Sequence, residues 1–261
     1  MTAALIMAGG QGERMRITGA STPKPLVPIR GIPLLERNLL VLLRSGFQDI
    51  TVAVPAQIPE IAQFVSGRCQ ALTAMLGGRL SLLEETQPLG NIGAAAEIDV
   101  AGDDLLVTYA DNLTSLDLNA MVDHHRRAAA ALTSAVHFEP FRIPFGEVDV
   151  RDGKIVAYRE KPVHRVLVSS GLFVLSPKAI ASLPRGQHTA VSWLANRLLE
   201  SEETIAAFFH EDPWIDVNDL AAVGRAEQLL ADRAGAFALQ ELPLDLALHG
   251  AAQQRSSEGP P

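Results

Sequence analysis

Short apolar runs alternate with helical patterns over residues 3–109, and this alternation constrains the fold more than any other feature. Ala3–Met7, Ile50–Val54, Arg79–Leu83 and Leu105–Tyr109 are the length of strands and largely apolar, as strands buried on both faces must be. Between them, Pro33–Arg44 carries leucines at helical spacing, with proline at the first helical position and Gly46 as its stop. Pro59–Arg68 reads as a second helix, and Gly93–Ile98 as the start of a third. Strands alternating with helices predict an α/β fold with a doubly wound, mostly parallel sheet.

The second half changes character. In Phe145–Tyr158, valines alternate around Asp152-Gly153, a two-residue turn that predicts an antiparallel hairpin. Val166–Leu175 reads as one more strand, Ser192–Leu199 as a helix, and Asp219–Ala231 as an amphipathic helix. Without an internal repeat or a linker, the expectation is one domain over residues 1–235, a C-terminal extension over 236–249, and a disordered tail over 250–261. Phe237–His249 offers enough leucine to pack on a second copy, so a homo-oligomer is expected.

Composition narrows the function classes. The 48% hydrophobic content supplies a core, and the net charge of −8 argues against a nucleic-acid partner. Arg14, Arg16, Lys24 and Arg30 nevertheless cluster into a local anion site. Cys69 is the single cysteine, which excludes an intrachain disulfide and a thiolate metal cluster. No apolar stretch reaches membrane-spanning length, and Ala3–Ala8 lacks the basic lead of a signal peptide, so a soluble, cytoplasmic protein is expected.

The first apolar run ends in Gly9, Gly10 and Gly12. A dinucleotide fingerprint would need a third glycine where Met15 stands, and Pro23, Pro25 and Pro28 forbid a regular helix downstream. The Gly-Lys-Ser/Thr of a P-loop is missing too. What remains is a long loop whose glycine backbone can approach a nucleotide closely, with Arg14 and Lys24 adding charge over its phosphates.

Gly9, Gly10, Gly12, Arg14 and Met15, followed by Pro23-Lys24-Pro25, resemble the signature of the sugar-1-phosphate nucleotidylyltransferases, or NDP-sugar pyrophosphorylases. Matching segments extend over roughly residues 3–232. The resemblance implies a Rossmann-like nucleotide-diphospho-sugar transferase fold and transfer of a nucleotidyl group to a sugar 1-phosphate, releasing pyrophosphate. It assigns nucleotide binding to Ala8, Gly9, Gly10, Gly12, Glu85 and Gly90, with Glu84–Gly93 as the base-recognition loop. A carboxylate at Glu85, where relatives reading uracil or thymine carry glutamine, accepts hydrogen bonds only. Guanine offers two adjacent donors, so GTP is favoured.

The resemblance also implies Mg²⁺ held by Asp111, at the end of the Leu105–Tyr109 run, and by Asp216 of Trp214–Asn218. Thr114 or Ser115 is available as the next helix cap, which leaves Asp111 for the metal. Arg14 would stabilise the departing pyrophosphate and Lys24 the α-phosphate. Glu160 and Lys161 of Tyr158–Pro162 would hold the acceptor, with Lys161 on its phosphate and Ser169 and Gly171 nearby. Ser169, Asn218 and Asp219 depart from the family's usual residues and raise an alternative acceptor, a cyclitol or other alcohol phosphate used by a cytidylyl- or related transferase. A non-catalytic subunit would be expected to lack some of these charges, and a nicotinamide oxidoreductase fits the glycine turn poorly. His124 and His125 are adjacent, hence on different helix faces, and read as structural.

Overall fold

The computed structural model describes residues 2–9 and 22–240. Its centre is a seven-stranded sheet in the order β12-β8-β11-β6-β1-β4-β5. These strands are β1 (Ala3–Met7), β4 (Asp49–Pro55), β5 (Arg79–Glu85), β6 (Leu105–Tyr109), β8 (Leu132–Arg142), β11 (Val163–Leu175) and β12 (Ile205–Phe209). β6, β1, β4 and β5 run parallel, β11 is antiparallel to β6 and β8, and β12 is parallel to β8. The short ladders are β2 (Pro28–Ile29) with β3 (Ile32–Pro33), and β7 (Asn112–Thr114) with β13 (Trp214–Asp216). β9 (Glu147–Arg151) and β10 (Lys154–Arg159) form the expected hairpin, with Asp152 and Gly153 both at positive φ as its turn type demands.

Successive residues of β1 serve opposite layers. Ile6 joins Val52 and Leu106 under α1 (Leu34–Arg44), α2 (Pro59–Phe64), α3 (Gln70–Met75) and α4 (Leu118–Arg127). Leu5 joins Ala53 and Val107 under a Gly93–Glu97 turn, α5 (Pro177–Ala181) and α6 (Val191–Glu200). Because both faces are covered, the central strands are predominantly apolar. A third cluster, with Val27, Leu113, Val217 and Phe237, packs α7 (Leu220–Asp232) and the 3₁₀ segment Ala234–Gln240 beside β7 and β13.

Several boundaries differ from expectation. Pro33 stands at the N-cap of α1, one position before the helix. The helix expected over Pro59–Arg68 continues to Met75 through a π turn at Val65–Cys69. Gly93–Glu97 is a single 3₁₀ element, its alanines buried and its continuation ended by extended backbone at Ile98. The stretch from Phe237 to Gln240 packs on its own chain: Phe237 is buried, and Gln240 Nε2 donates to the Thr114 carbonyl at 2.6 Å. Residues 241–261, including the expected tail, lie outside the described residues. No helix among the described residues is long and apolar enough to cross a membrane.

Candidate active site

Ligand chemistry in an open α/β sheet gathers beyond the carboxyl ends of its parallel strands. There, past β1, β5 and β6, lies a cavity of about 710 Å³ lined by Gly9, Glu85, Gly90, Tyr109, Asp111, Ser169, Gly171, His188, Trp214 and Asp216, among others. Another concavity, about 600 Å³ and lined by Asp103, Asp104, Asp123 and Arg126, sits at the opposite strand ends.

Asp111 follows β6, and Asp216 closes β13. Pairing of β13 with β7 puts Asp216 opposite Asn112, and the Val217 N–H donates to the Asp111 carbonyl at 3.0 Å. Lys24 stands between the two carboxylates, with Nζ 2.6 Å from Asp111 Oδ2 and 3.4 Å from Asp216 Oδ1. Its position follows from local sequence. Pro23 and buried Pro25 frame a single 3₁₀ turn, closed by a 2.8 Å bond from the Leu26 N–H to the Pro23 carbonyl. Burial and the neighbouring Asp111 raise the Asp216 carboxyl above its ordinary range, while Lys24 and Asn218 oppose the rise. Asn218 Nδ2 donates to Asp216 Oδ2 at 3.2 Å.

Glu85 ends β5 and is 5% exposed. Its Oε2 accepts the Leu89 N–H at 3.1 Å, whereas Oε1 is buried without a hydrogen-bond partner among the described residues. Burial pushes this carboxyl up, against the Leu89 N–H and His188. A Cβ on Gly9 would stand 3.4 Å from both Glu85 oxygens, an ordinary van der Waals contact, so the end of β1 lies beside the carboxylate.

The Nucleotidyl transferase family model matches residues 3–233. The chain belongs to that family. It is 28% identical over 230 residues to a UTP–glucose-1-phosphate uridylyltransferase of Synechocystis, an alignment covering 82% of this chain but 59% of that relative. It is 25% identical to the glucose-1-phosphate cytidylyltransferase of Salmonella typhimurium, covering 83% of this chain and 91% of the other. HddC from Yersinia pseudotuberculosis, solved in complex with GMP-PN, shares the fold with a TM-score of 0.64 at 20% identity, over 87% of this chain and 99% of that one.

Against the resemblance-based assignments, the structure brings Gly9, Lys24, Glu85, Gly90, Asp111, Ser169, Gly171 and Asp216 together, with Ala8 buried at the end of β1. Glu160 and Lys161 do not line the cavity. They sit exposed in the turn between β10 and β11, with Lys161 at φ 45°. Gly10, Gly12, Arg14 and Met15 lie outside the described residues. Gly90 has a packing reason beyond base approach, since a Cβ there would fall 2.4 Å from the Thr189 carbonyl oxygen. Asp219, read as a departure bearing on the acceptor, instead caps α7 through the Ala222 N–H at 2.6 Å. The cap of the helix after Asp111 is Asp117, in place of Thr114 or Ser115. His125 is buried against Thr133, with Nδ1 2.8 Å from its hydroxyl.

Other residues of the site carry no motif. Tyr109, Asn112 and His188 line the cavity, and the buried Tyr109 hydroxyl lacks a partner among the described residues. Asn38, on a face of α1 otherwise crowded with leucine, donates to the carbonyls of Ala110 at 3.3 Å and Asn112 at 3.0 Å, fixing the backbone around Asp111. An amide inside an apolar helix face was the available signal.

Proposed function

We propose that this chain transfers a nucleoside monophosphate from an NTP, GTP by preference, to a sugar 1-phosphate, producing an NDP-sugar and pyrophosphate. The observation carrying this reading is the convergence of Asp111, Asp216 and Lys24 at the carboxyl ends of the sheet, beside a cavity that includes Glu85. Two crowded carboxylates, one with a raised proton affinity, fit a divalent cation that takes its remaining ligands from phosphate oxygens and water. Bound there, Mg²⁺ would neutralise the α-phosphate and favour departure of pyrophosphate. Lys24, released from the carboxylates, meets the charge on the α-phosphate. Arg14 would do the same for the leaving group. The acceptor is already an ionised nucleophile, so positioning and charge neutralisation carry the catalysis without a covalent protein intermediate.

Glu85 supports the choice of guanine: its Oε1, unpartnered among the described residues, and its accepting Oε2 suit the adjacent N1 and N2 donors. A second reading, transfer to another alcohol phosphate, draws support from Ser169, whose hydroxyl lies 2.9 Å from that of Ser134 at the cavity wall. Pyrophosphate release measured with four NTPs against a panel of sugar 1-phosphates and other alcohol phosphates tests both. GTP with a hexose 1-phosphate is expected to be fastest, and Asp111→Ala to fall to background. Faster turnover with CTP and a non-sugar phosphate would install the second reading.

A further inference from the structure

Behind the carboxylate pair lies a buried polar chain with no place in the reaction above. Ser170 is fully buried in β11, where the pairing with β8 shifts between Ser169 and Phe173. Gly171 turns the strand there at φ 72°. The Ser170 carbonyl accepts the Trp214 indole N–H at 2.8 Å and the Asn112 side-chain amide at 2.9 Å. Trp214 opens β13, the strand that ends in Asp216, and Asn112 follows Asp111 directly. One carbonyl therefore ties both carboxylate-bearing segments to the main sheet.

The hydroxyl of the same residue is held from two sides. Its Oγ lies 2.8 Å from His137 Nδ1 and 2.7 Å from His210 Nε2, and His137 Nε2 lies 3.3 Å from Glu139 Oε2. His210 Nδ1 is buried and makes no hydrogen bond of good geometry among the described residues. Counting protons assigns one arrangement that satisfies every contact with both imidazoles neutral. His210 Nε2–H donates to Ser170 Oγ, the Ser170 O–H donates to His137 Nδ1, and His137 Nε2–H donates to Glu139. In this arrangement His210 Nδ1 carries the lone pair. The His137 ring also packs 4.6 Å from that of Trp214.

We propose that Ser170 is a positioning residue for the metal-holding pair, its hydroxyl pinned between His137 and His210 so that its carbonyl keeps Trp214 and Asn112 in place. This rests on the reading of Asp111 and Asp216 as metal ligands. Ser170 touches no reacting atom. It acts through the β13–β7 ladder on the separation of two carboxylates, a role whose loss weakens the metal more than the chemistry.

Mn²⁺ binding by electron paramagnetic resonance and the Mg²⁺ activation constant in steady-state turnover test this on the full chain. Ser170→Ala is expected to weaken both by about tenfold, the scale of removing a group that orients a metal ligand. At saturating metal its kcat should return to within about twofold of wild type. His137→Leu should behave alike. His137→Asn, which keeps an acceptor where Nδ1 stands, should restore metal affinity. A merely structural role would lower kcat or Tm and leave the metal constants unmoved, and that result in Ser170→Ala overturns the proposal. Asp111→Asn separates the two levels. Loss of Mn²⁺ binding in it upholds the ligand assignment even if Ser170 proves neutral, whereas unchanged binding removes both.

Discussion

At the scale of single residues, Glu85 shows a side chain placed against the interest of folding. A carboxylate 5% exposed, with one oxygen unpartnered among the described residues, pays desolvation that glutamine would largely avoid. Burial raises its proton affinity in the folded chain above that in the unfolded one. Its contribution to stability is therefore fully present below the ordinary carboxylate range and is lost as pH rises through the raised value. Between pH 4 and pH 8, wild type should lose more Tm than Glu85→Gln does. Nucleotide binding runs the other way, because only the ionised form accepts two donors. The KM for GTP should rise on acidification, starting above the ordinary glutamate pKa of about 4.3. In Glu85→Gln the KM for GTP should be higher and flat over that range. A Glu85→Gln variant that keeps the wild-type KM profile and base preference would remove Glu85 from base recognition.

At the scale of elements, two glycines with the same φ separate conformational strain from collision. Gly31 and Gly90 both sit at φ 80°, but a Cβ on Gly31 meets nothing within 4 Å, whereas one on Gly90 meets the Thr189 carbonyl oxygen at 2.4 Å. Gly31→Ala should cost about 1–2 kcal/mol, the penalty of left-handed backbone for an L-residue. Gly90→Ala should cost more in denaturant unfolding and should also raise the nucleotide KM, because the whole 85–93 loop must shift. Equal costs in the two variants would mean that the loop yields freely. Such loops also show why only part of the molecule could be read in advance. Strands buried on both faces announce themselves as apolar runs, so β1, β4 and β6 were legible. β8 was not: its first half lies inside the sheet, while its second half pairs only with β11 and carries exposed Phe138, Phe141 and an edge-strand Pro140. No single period describes both halves. Likewise Asp111 and Asp216 carry motifs, whereas Ser170, Asn112 and Tyr109 are recruited by pairings between distant strands that no local spacing encodes.

At the scale of the whole molecule, the site is a seam between two parts of the chain. Lys24 and Asp111 come from the parallel half, and Asp216 arrives from β13 near the far end. Besides the short β7–β13 ladder, the third apolar cluster holds this seam, with Val27 close to Lys24, Leu113 close to Asp111, and Val217 next to Asp216. Phe237, 1% exposed, fills that cluster from the last described segment. Arg44 Nη1 bonds to the Ala238 carbonyl at 3.1 Å and to the Leu239 carbonyl at 3.2 Å, which anchors the segment from outside. Replacing a fully buried phenylalanine by alanine costs about 3–5 kcal/mol. In a domain of this size that lowers Tm by on the order of 10 °C. The cavity would open directly under the seam, so Phe237→Ala should also weaken Mg²⁺ activation at temperatures where the chain is still fully folded. Leu239→Ala, at a side chain 45% exposed, should change neither quantity. Thermal unfolding and metal titration of the two variants side by side decide the point. If Phe237→Ala melts like wild type, the segment rides on the surface and the seam is held by the ladder alone. If it melts early but keeps its metal affinity, the cluster stabilises the fold without shaping the site.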